Sequence, residues 1–312
     1  MTFPAPKAML FIVNPTAGRR RRGLVDAVVG EIRDEGWTVD VVETKAAGDA
    51  RHLAETCDTR RYAVIAVAGG DGTINEVVNG LARRGADGSA VGPALGIVPL
   101  GTANVLAHEL GLDFSAAALA RTMVSGRTVP VQAGQAASGS QPPRCFFLMA
   151  GAGFDAKVVA GVSTGLKRRW GRAAYVWQSL IEAWRYRPVR YAVDIDGVRH
   201  EAASVIVTRS RHYAGSFMIA PAAALAKPLL HVCLFERWGR AQTLCFGLAL
   251  LLGRLPHTGG YRVVTGREVR IAVLSDAGET RRQPVQIDGD DALTLPVSIG
   301  LAAGSVRLLH PS

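Results

Sequence analysis

Val64–Leu81 reads Val-Ile-Ala-Val-Ala-Gly-Gly-Asp-Gly-Thr-Ile-Asn-Glu-Val-Val-Asn-Gly-Leu, an apolar run that breaks into a glycine-rich turn and restarts at once with helical spacing. A strand feeding a helix through such a turn is the unit of a parallel α/β sheet. Two companions extend the pattern. Asn14-Pro15-Thr16-Ala17-Gly18 follows the apolar run Ala8–Val13, and Pro99-Leu100-Gly101-Thr102-Ala103-Asn104 follows Leu95–Val98. Polar turns that each end a parallel strand gather along one edge of the sheet, where ligands bind in open α/β folds. Gly69, Gly70 and Gly72 carry no Cβ, so the backbone there can approach a ligand closely. The amides of the turn and of the helix start converge on one spot, which suits a phosphate.

Further strand-like runs (Thr38–Glu43, Tyr62–Ala68) alternate with helical ones (Leu24–Glu35, Asp49–Thr56, Ile74–Arg84, Asn104–Leu110, Ala116–Val124). From about Arg127 the texture changes to short alternating runs: Val189–Ile195, Ala202–Thr208, Leu229–Phe235, Glu268–Val273 and Pro284–Ile287. These predict a mostly antiparallel β domain, with Asp196-Gly197 as a hairpin turn. A chain of 312 residues is expected to form two domains. The most apolar helical stretch, Thr243–Leu252, falls short of the ~20 residues of a membrane span and reads as a buried helix.

The four cysteines are scattered and the seven histidines show no His-x-x-x-His spacing, which argues against a zinc site or a disulfide framework. No targeting segment precedes Ala8–Val13, so a cytoplasmic enzyme is expected.

The three turns, in this order and at these spacings, resemble the catalytic domain shared by diacylglycerol kinases, sphingosine kinases and bacterial YegS-type lipid kinases. Gly-Gly-Asp-Gly-Thr also occurs in NAD kinases and phosphofructokinases; Asn75-Glu76 and the Pro-Leu-Gly-Thr-Ala-Asn turn narrow the likeness to the lipid-kinase branch. Gly151-Ala152-Gly153-Phe154-Asp155 and Ile287-Asp288-Gly289-Asp290 look like further landmarks. The resemblance implies an α/β fold: a NAD kinase-like parallel-sheet nucleotide domain over 1–127, then a mostly antiparallel β domain over 128–297. The segment 298–312, with a strand around Ser305–Leu309, would return to the first domain.

It also implies ATP and Mg²⁺. Gly69, Gly70, Asp71, Gly72 and Thr73 would cradle the phosphates, with Asp71 holding the metal directly or through water. Asn14 and Thr102 would donate to phosphate or ribose oxygens, beside Pro15, Gly18, Asn75 and Gly101, and Thr44 resembles a nucleotide-contacting threonine. Glu76 lies in a first helical turn, where a carboxylate suits the dipole, and is read either as that or as a site residue. Arg19–Arg22 precede a helix, where cations are unfavourable, so the cluster reads either as facing an anion, nucleotide phosphates or an acidic membrane surface, or as a solvated basic turn; a phosphate role is expected only for Arg19.

The lipid hydroxyl needs a base. Asp288 and Asp290 stand where the family carries Asp-Gly-Glu, and which acid takes the proton is open. Asp-Gly is also a common turn dipeptide. Bacterial relatives bind a structural Mg²⁺ through an Asp-rich run. Here that run reads Leu225-Ala226-Lys227-Pro228-Leu229-Leu230-His231, so a structural Mg²⁺ at 225–230 is expected to be absent, and Lys227 is read either as donating to the loop carbonyls or as a solvent-facing lysine on a loop that needs no cation.

Ala156–Val193 holds eight cations (Lys157, Lys167, Arg168, Arg169, Arg172, Arg185, Arg187, Arg190) against one anion, Glu182, and spaces Trp170, Trp177 and Trp184 seven apart. Such a stretch suits an anionic membrane surface, and the competing reading is a tryptophan core with a solvated basic rim. No nucleic-acid motif accompanies the charge. The expectation is a peripherally membrane-associated lipid kinase acting on a diacylglycerol-like lipid. The rivals are a NAD kinase-like enzyme and a non-catalytic lipid-binding protein of the same fold. The sequence leaves both a monomer and a homo-oligomer open.

Overall fold

The computed structural model describes residues 7–17, 22–84, 92–139, 141–161, 189–237, 239–274 and 283–311. Gly18, Arg19, Arg20 and Arg21 lie outside the described residues, as do Trp170, Trp177, Trp184 and most of the basic stretch around them. The chain divides into two units, Met1–Ala133 with Ala302–Ser312, and Gly134–Leu301.

The first unit runs β1 (Ala8–Val13), α1 (Arg22–Asp34), β2 (Thr38–Glu43), α2 (Asp49–Thr56) and β3 (Val64–Gly69). It continues with α3 (Asp71–Arg84), β4 (Ala94–Pro99), α4 (Val105–Glu109) and α5 (Ala116–Val124). The strands lie in the order β2-β1-β3-β4, every pair parallel. β3 and β4 are buried at every position, as strands covered on both faces must be, and so read as unbroken apolar runs. Val25, Val28, Val29 and Ile32 of α1 recur on one helical face and join Met9, Phe11, Val64, Ala66 and Leu119 in the core. α2 and α3 meet at Gly80, where an added Cβ would overlap the Arg51 carbonyl oxygen and come within 2.9 Å of the Ala54 Cβ.

β5 (Thr128–Ala137) leads into the second unit: β6 (Arg144–Phe146), β7 (Met149–Ala152), α6 (Phe154–Gly161), β8 (Tyr191–Ile195), β9 (Val198–Ala202) and β10 (Ser204–Thr208). Then come β11 (His212–Tyr213), β12 (Phe217–Met218), β13 (Leu230–Phe235), α7 (Arg240–Leu251) and β14 (Tyr261–Gly266). β15 (Val269–Val273), β16 (Pro284–Ile287), β17 (Asp290–Thr294) and β18 (Val297–Leu309) close the chain. One antiparallel layer is ordered β14-β13-β10-β7-β16-β17; the other joins the start of β18 to β15, β8 and β9. Ala150, Val205, Val232 and Val285 of the first layer and Tyr191, Val193, Ile271 and Ile299 of the second share one core. The β8–β9 turn has positive φ at both central residues, Asp196 (48°) and Gly197 (85°), the geometry a two-residue hairpin needs. β18 ends in the first unit, where Leu308 pairs in parallel with Leu95. The chain is thus a parallel α/β domain followed by an antiparallel β domain, as expected.

One expectation is corrected. The apolar stretch Thr243–Leu252 forms most of α7, yet it is not a buried helix. Phe246 is buried, with its ring 5.2 Å from that of Phe235, while Leu244, Leu248, Leu251 and Leu252 are exposed. Apolar composition does not say what a helix face meets, and here it meets solvent.

Candidate nucleotide and acceptor sites

In the first unit, four neighbouring parallel strands end together. Asn14 N donates to Ala68 O (2.9 Å), Thr44 N to Val13 O (2.9 Å) and Leu100 N to Gly69 O (2.9 Å). The turns after β1, β2, β3 and β4 therefore share one sheet edge, which brings together Asn14, Thr44, Gly69–Thr73, Gly101 and Thr102. Side chains then tie the turns to one another. Asn14 Nδ2 donates to Thr73 Oγ1 (2.9 Å), while Asn14 Oδ1 accepts from the amide (3.0 Å) and hydroxyl (2.8 Å) of Thr16, which shapes the turn containing Pro15.

Gly70 and Gly101 pack against each other. A Cβ on Gly70 would lie 3.2 Å from the Gly101 Cα, and one on Gly101 would lie 2.6 Å from the Gly70 Cα. These glycines therefore serve the contact between two turns as well as backbone access. Asn104 completes the arrangement in the left-handed region (φ 48°), with Nδ2 donating to Gly101 O (2.9 Å). Its buried Oδ1 has no hydrogen-bond partner among the described residues.

Asp71 begins α3, and both of its carboxylate oxygens accept backbone amides at the start of α4: Val105 N (3.1 Å) and Leu106 N (3.2 Å). Burial pushes its pKa up, opposed by those two amides. Glu76 Oε1 accepts from Gly48 N (3.0 Å), fastening α3 to the loop after β2, so it ties Thr44's loop in place. Asn75 is half-buried in the first turns of α3 and accepts from Asn79 Nδ2 at both its backbone and side-chain oxygens. The Asp71 amide is taken by its own carboxylate, while those of Gly72 and Thr73 have no intrahelical acceptor, as at any helix start. They open onto the same edge and, with Thr102 exposed beside them, form a set of donors suited to a polyphosphate. The unpartnered Asn104 Oδ1 is an acceptor of the kind that a metal-bound water or a ribose hydroxyl satisfies. The residues present fit a Mg-nucleotide.

In the second unit, Asp288 occupies the β16–β17 turn with φ 46°. Its carboxylate accepts three consecutive amides, Phe147 N (3.0 Å), Leu148 N (3.1 Å) and Met149 N (2.8 Å), which pins the β6–β7 connection. Asp290 is exposed at the start of β17. Beneath the turn lies a buried polar chain. Tyr213 OH donates to Asp155 Oδ1, Gln286 Nε2 donates to Asp155 Oδ2 (2.8 Å), and Gln286 Oε1 accepts from Gly289 N (2.8 Å). Burial raises the Asp155 pKa against the pull of Tyr213 and Gln286. Tyr213 and Gln286 carry no sequence signal: one sits in a two-residue strand, the other reads as an ordinary polar strand position.

Lys227 is exposed. The cation that reaches its loop is Arg209, whose fully buried guanidinium donates through Nη2 to Leu225 O. The segment Ile219–Val232 contains no carboxylate, and the described residues hold no group of three His, Cys, Asp or Glu side chains placed for a metal ion. A hard divalent cation selects oxygen ligands with at least some anionic ones, and the oxygens of this segment are all backbone carbonyls.

Family models match most of the chain: the diacylglycerol kinase catalytic domain over residues 8–136, and the YegS C-terminal NAD kinase beta sandwich-like domain over 149–310. Diacylglycerol kinase of Bacillus subtilis (strain 168) is 28% identical, covering 93% of this chain and 92% of that one. A Chromohalobacter salexigens protein described as "Probable lipid kinase YegS-like" is 31% identical, with 92% and 91% covered. The fold superposes on the crystal structure of a diacylglycerol kinase from Bacillus anthracis str. Sterne with a TM-score of 0.73 at 22% identity, over 99% of this chain and 98% of that one.

Proposed function

This chain belongs to the family that joins a diacylglycerol kinase catalytic domain to a YegS-type C-terminal domain, and from that membership we propose that it transfers the γ-phosphate of ATP to the hydroxyl of a diacylglycerol-like lipid. The observation that supports this best is the knitting of three strand-end turns by the Asn14–Thr73 hydrogen bond, the Gly70–Gly101 contact and the Asp71 bonds to α4. Phosphoryl transfer passes through a loose transition state, so a protein contributes mainly position and charge neutralisation. Turns locked to one another supply position.

The amides of Gly72 and Thr73, Thr102 and the Asn14 turn hold the phosphates, and Thr44 bounds the nucleotide at the end of β2. Asp71, with Asn104 beside it, would hold Mg²⁺ through water, and that ion would neutralise charge on the phosphate oxygens. On the acceptor side Asp290 takes the hydroxyl proton: the new P–O bond forms to the lipid oxygen, the bridging P–O bond to ADP breaks, and the proton ends on the carboxylate. Asp288, engaged by three amides, positions the turn that carries Asp290. The site of action is a membrane surface, to which the protein binds peripherally.

Radiolabelled ATP incubated with Mg²⁺, the protein and a mixed lipid extract tests this. A labelled lipid on the chromatogram supports the kinase. Label in NADP when NAD is supplied, or lipid binding with no label transferred, would replace it.

A further inference from the structure

We propose that α7 is the helix that seats this protein on an anionic lipid surface. Leu244, Leu248, Leu251 and Leu252 are 52%, 59%, 64% and 63% exposed, and their spacing places them on one helical face. Of the seven large apolar side chains exposed among the described residues, three thus lie on this short helix and a fourth at its C-cap. The opposite face is held by Phe246, which packs on Phe235. Twelve residues reach about 18 Å, too short to cross a bilayer. No described helix is long and apolar enough to do so.

Charge selects the partner. From Arg237 to Gly260 the sequence holds three arginines (Arg237, Arg240, Arg254) and no acid, with Trp238 two residues before the helix. Arg237 and Arg254 are exposed at its two ends. An apolar helical face flanked by cations lies in the headgroup boundary, leucines toward the acyl chains and arginines toward anionic headgroups. The choice of a lipid partner, rather than a second copy or another segment of this chain, rests on the lipid-kinase reading together with this charge.

The test uses the whole protein and its Leu248→Gln/Leu252→Gln variant, sedimented with vesicles of phosphatidylglycerol and phosphatidylcholine. The variant's vesicle affinity should fall about a hundredfold, with its thermal midpoint unchanged or higher and its turnover of dissolved dihexanoylglycerol unchanged. Unaltered vesicle binding would overturn the proposal. So would a wild-type dimer that the variant converts to monomer, since a second copy would then be the occupant, or a midpoint several degrees lower, since the face would then be covered by the chain itself. If no lipid is phosphorylated and the affinity still falls, docking stands and the kinase reading fails.

Independently, we infer that Arg209 is the internal cation of the Ile219–Leu230 segment, which folds without a divalent ion. Arg209 follows β10, where Thr208 pairs with His231 of β13, so its side chain starts beside the end of that segment. Its Nη2 donates to Leu225 O, while Ala220 O, Ala224 O and Lys227 O accept backbone amides of the segment itself. Nε and Nη1 have no partner among the described residues, and neither has either ring nitrogen of the buried His231. Burial, Arg209 and Lys227 all lower the His231 pKa, which disfavours a second charge beside the guanidinium. A guanidinium N–H donates to a carbonyl oxygen whose lone pair would otherwise be available to a metal ion, and it carries its own charge into the site.

Thermal unfolding without nucleotide, with and without EDTA, should give the same midpoint, and Arg209→Met should lower it by several degrees while Lys227→Met leaves it unchanged. A fall with EDTA, or an Arg209→Met midpoint equal to wild type, would overturn the inference. If Arg209→Met does not fold, the EDTA comparison and Arg209→Lys decide: a lysine variant that folds, with a lowered midpoint that added Mg²⁺ does not raise, supports it. Recovery with Mg²⁺ contradicts it.

Discussion

Gly70 and Gly101 stand back to back across two turns, so that a Cβ on Gly101 would come within 2.6 Å of the Gly70 Cα and 2.8 Å of Asn104 Oδ1. The strand-end edge is therefore built by contact between turns, and perturbing one turn perturbs its neighbour.

Gly101→Ala should be the harsher of two alanine substitutions. The Gly70 Cβ would have 3.2 Å to the opposing backbone, against 2.6 Å for that of Gly101. Overpacking of this kind costs about 1–3 kcal/mol. Differential scanning calorimetry should rank the midpoints wild type, Gly70→Ala, Gly101→Ala, with ATP affinity falling in the same order. Equal midpoints would show that the turns do not touch as described.

Asp71→Ala removes the acceptor for the Val105 and Leu106 amides as well as a site carboxylate. Stability should fall by about 1–3 kcal/mol, and phosphoryl transfer should be lost. Asp71→Asn keeps one acceptor oxygen, so most of the stability should return while transfer does not. An asparagine variant with near wild-type turnover would remove Asp71 from the metal site.

Asp288 and Asp290 should separate by readout. Asp288→Asn turns a donor toward amides that the carboxylate accepts. It should cost about 2–3 kcal/mol, a midpoint shift of roughly 5–10 °C. Asp290→Asn, on an exposed side chain, should leave the midpoint in place and lower kcat by about 10²–10⁴. The reverse pattern would exchange the two roles.

Much of this was legible beforehand, and the gaps have physical causes. The parallel unit declares itself because strands buried on both faces must be unbroken apolar runs, and the turns between them carry glycine where backbones meet. The Asp196-Gly197 hairpin is legible because two positive φ values demand such residues. Arg209 was not, since Thr-Arg-Ser-Arg-His reads as a solvated basic turn until β10 and β13 bring it against the 219–230 loop. Gln286 was not, because which face of a strand meets a buried carboxylate depends on pairing across the sheet. The exposure of α7 is not legible, because leucines look alike in a sequence whether they face a core or solvent.

Asp155 gives a pH signature. Burial raises its pKa above the ordinary 3.8, so the ionised form is disfavoured in the fold. Its contribution to stability is then fullest below that ordinary value and is lost as pH rises through the raised one. Asparagine keeps the partners Tyr213 and Gln286 and never ionises. Asp155→Asn should therefore gain on wild type in urea midpoint from pH 4 to pH 8, and a gap that does not change with pH would contradict the assignment.

The central claim is transfer of the γ-phosphate to a lipid hydroxyl, and phosphorus NMR of the purified protein with ATP, Mg²⁺ and dioctanoylglycerol tests it most directly. The account predicts one new phosphomonoester resonance for each ADP formed, absent with Asp71→Asn or Asp290→Asn. Inorganic phosphate in place of the phosphomonoester, or ATP left intact while dioctanoylglycerol binds, would contradict it.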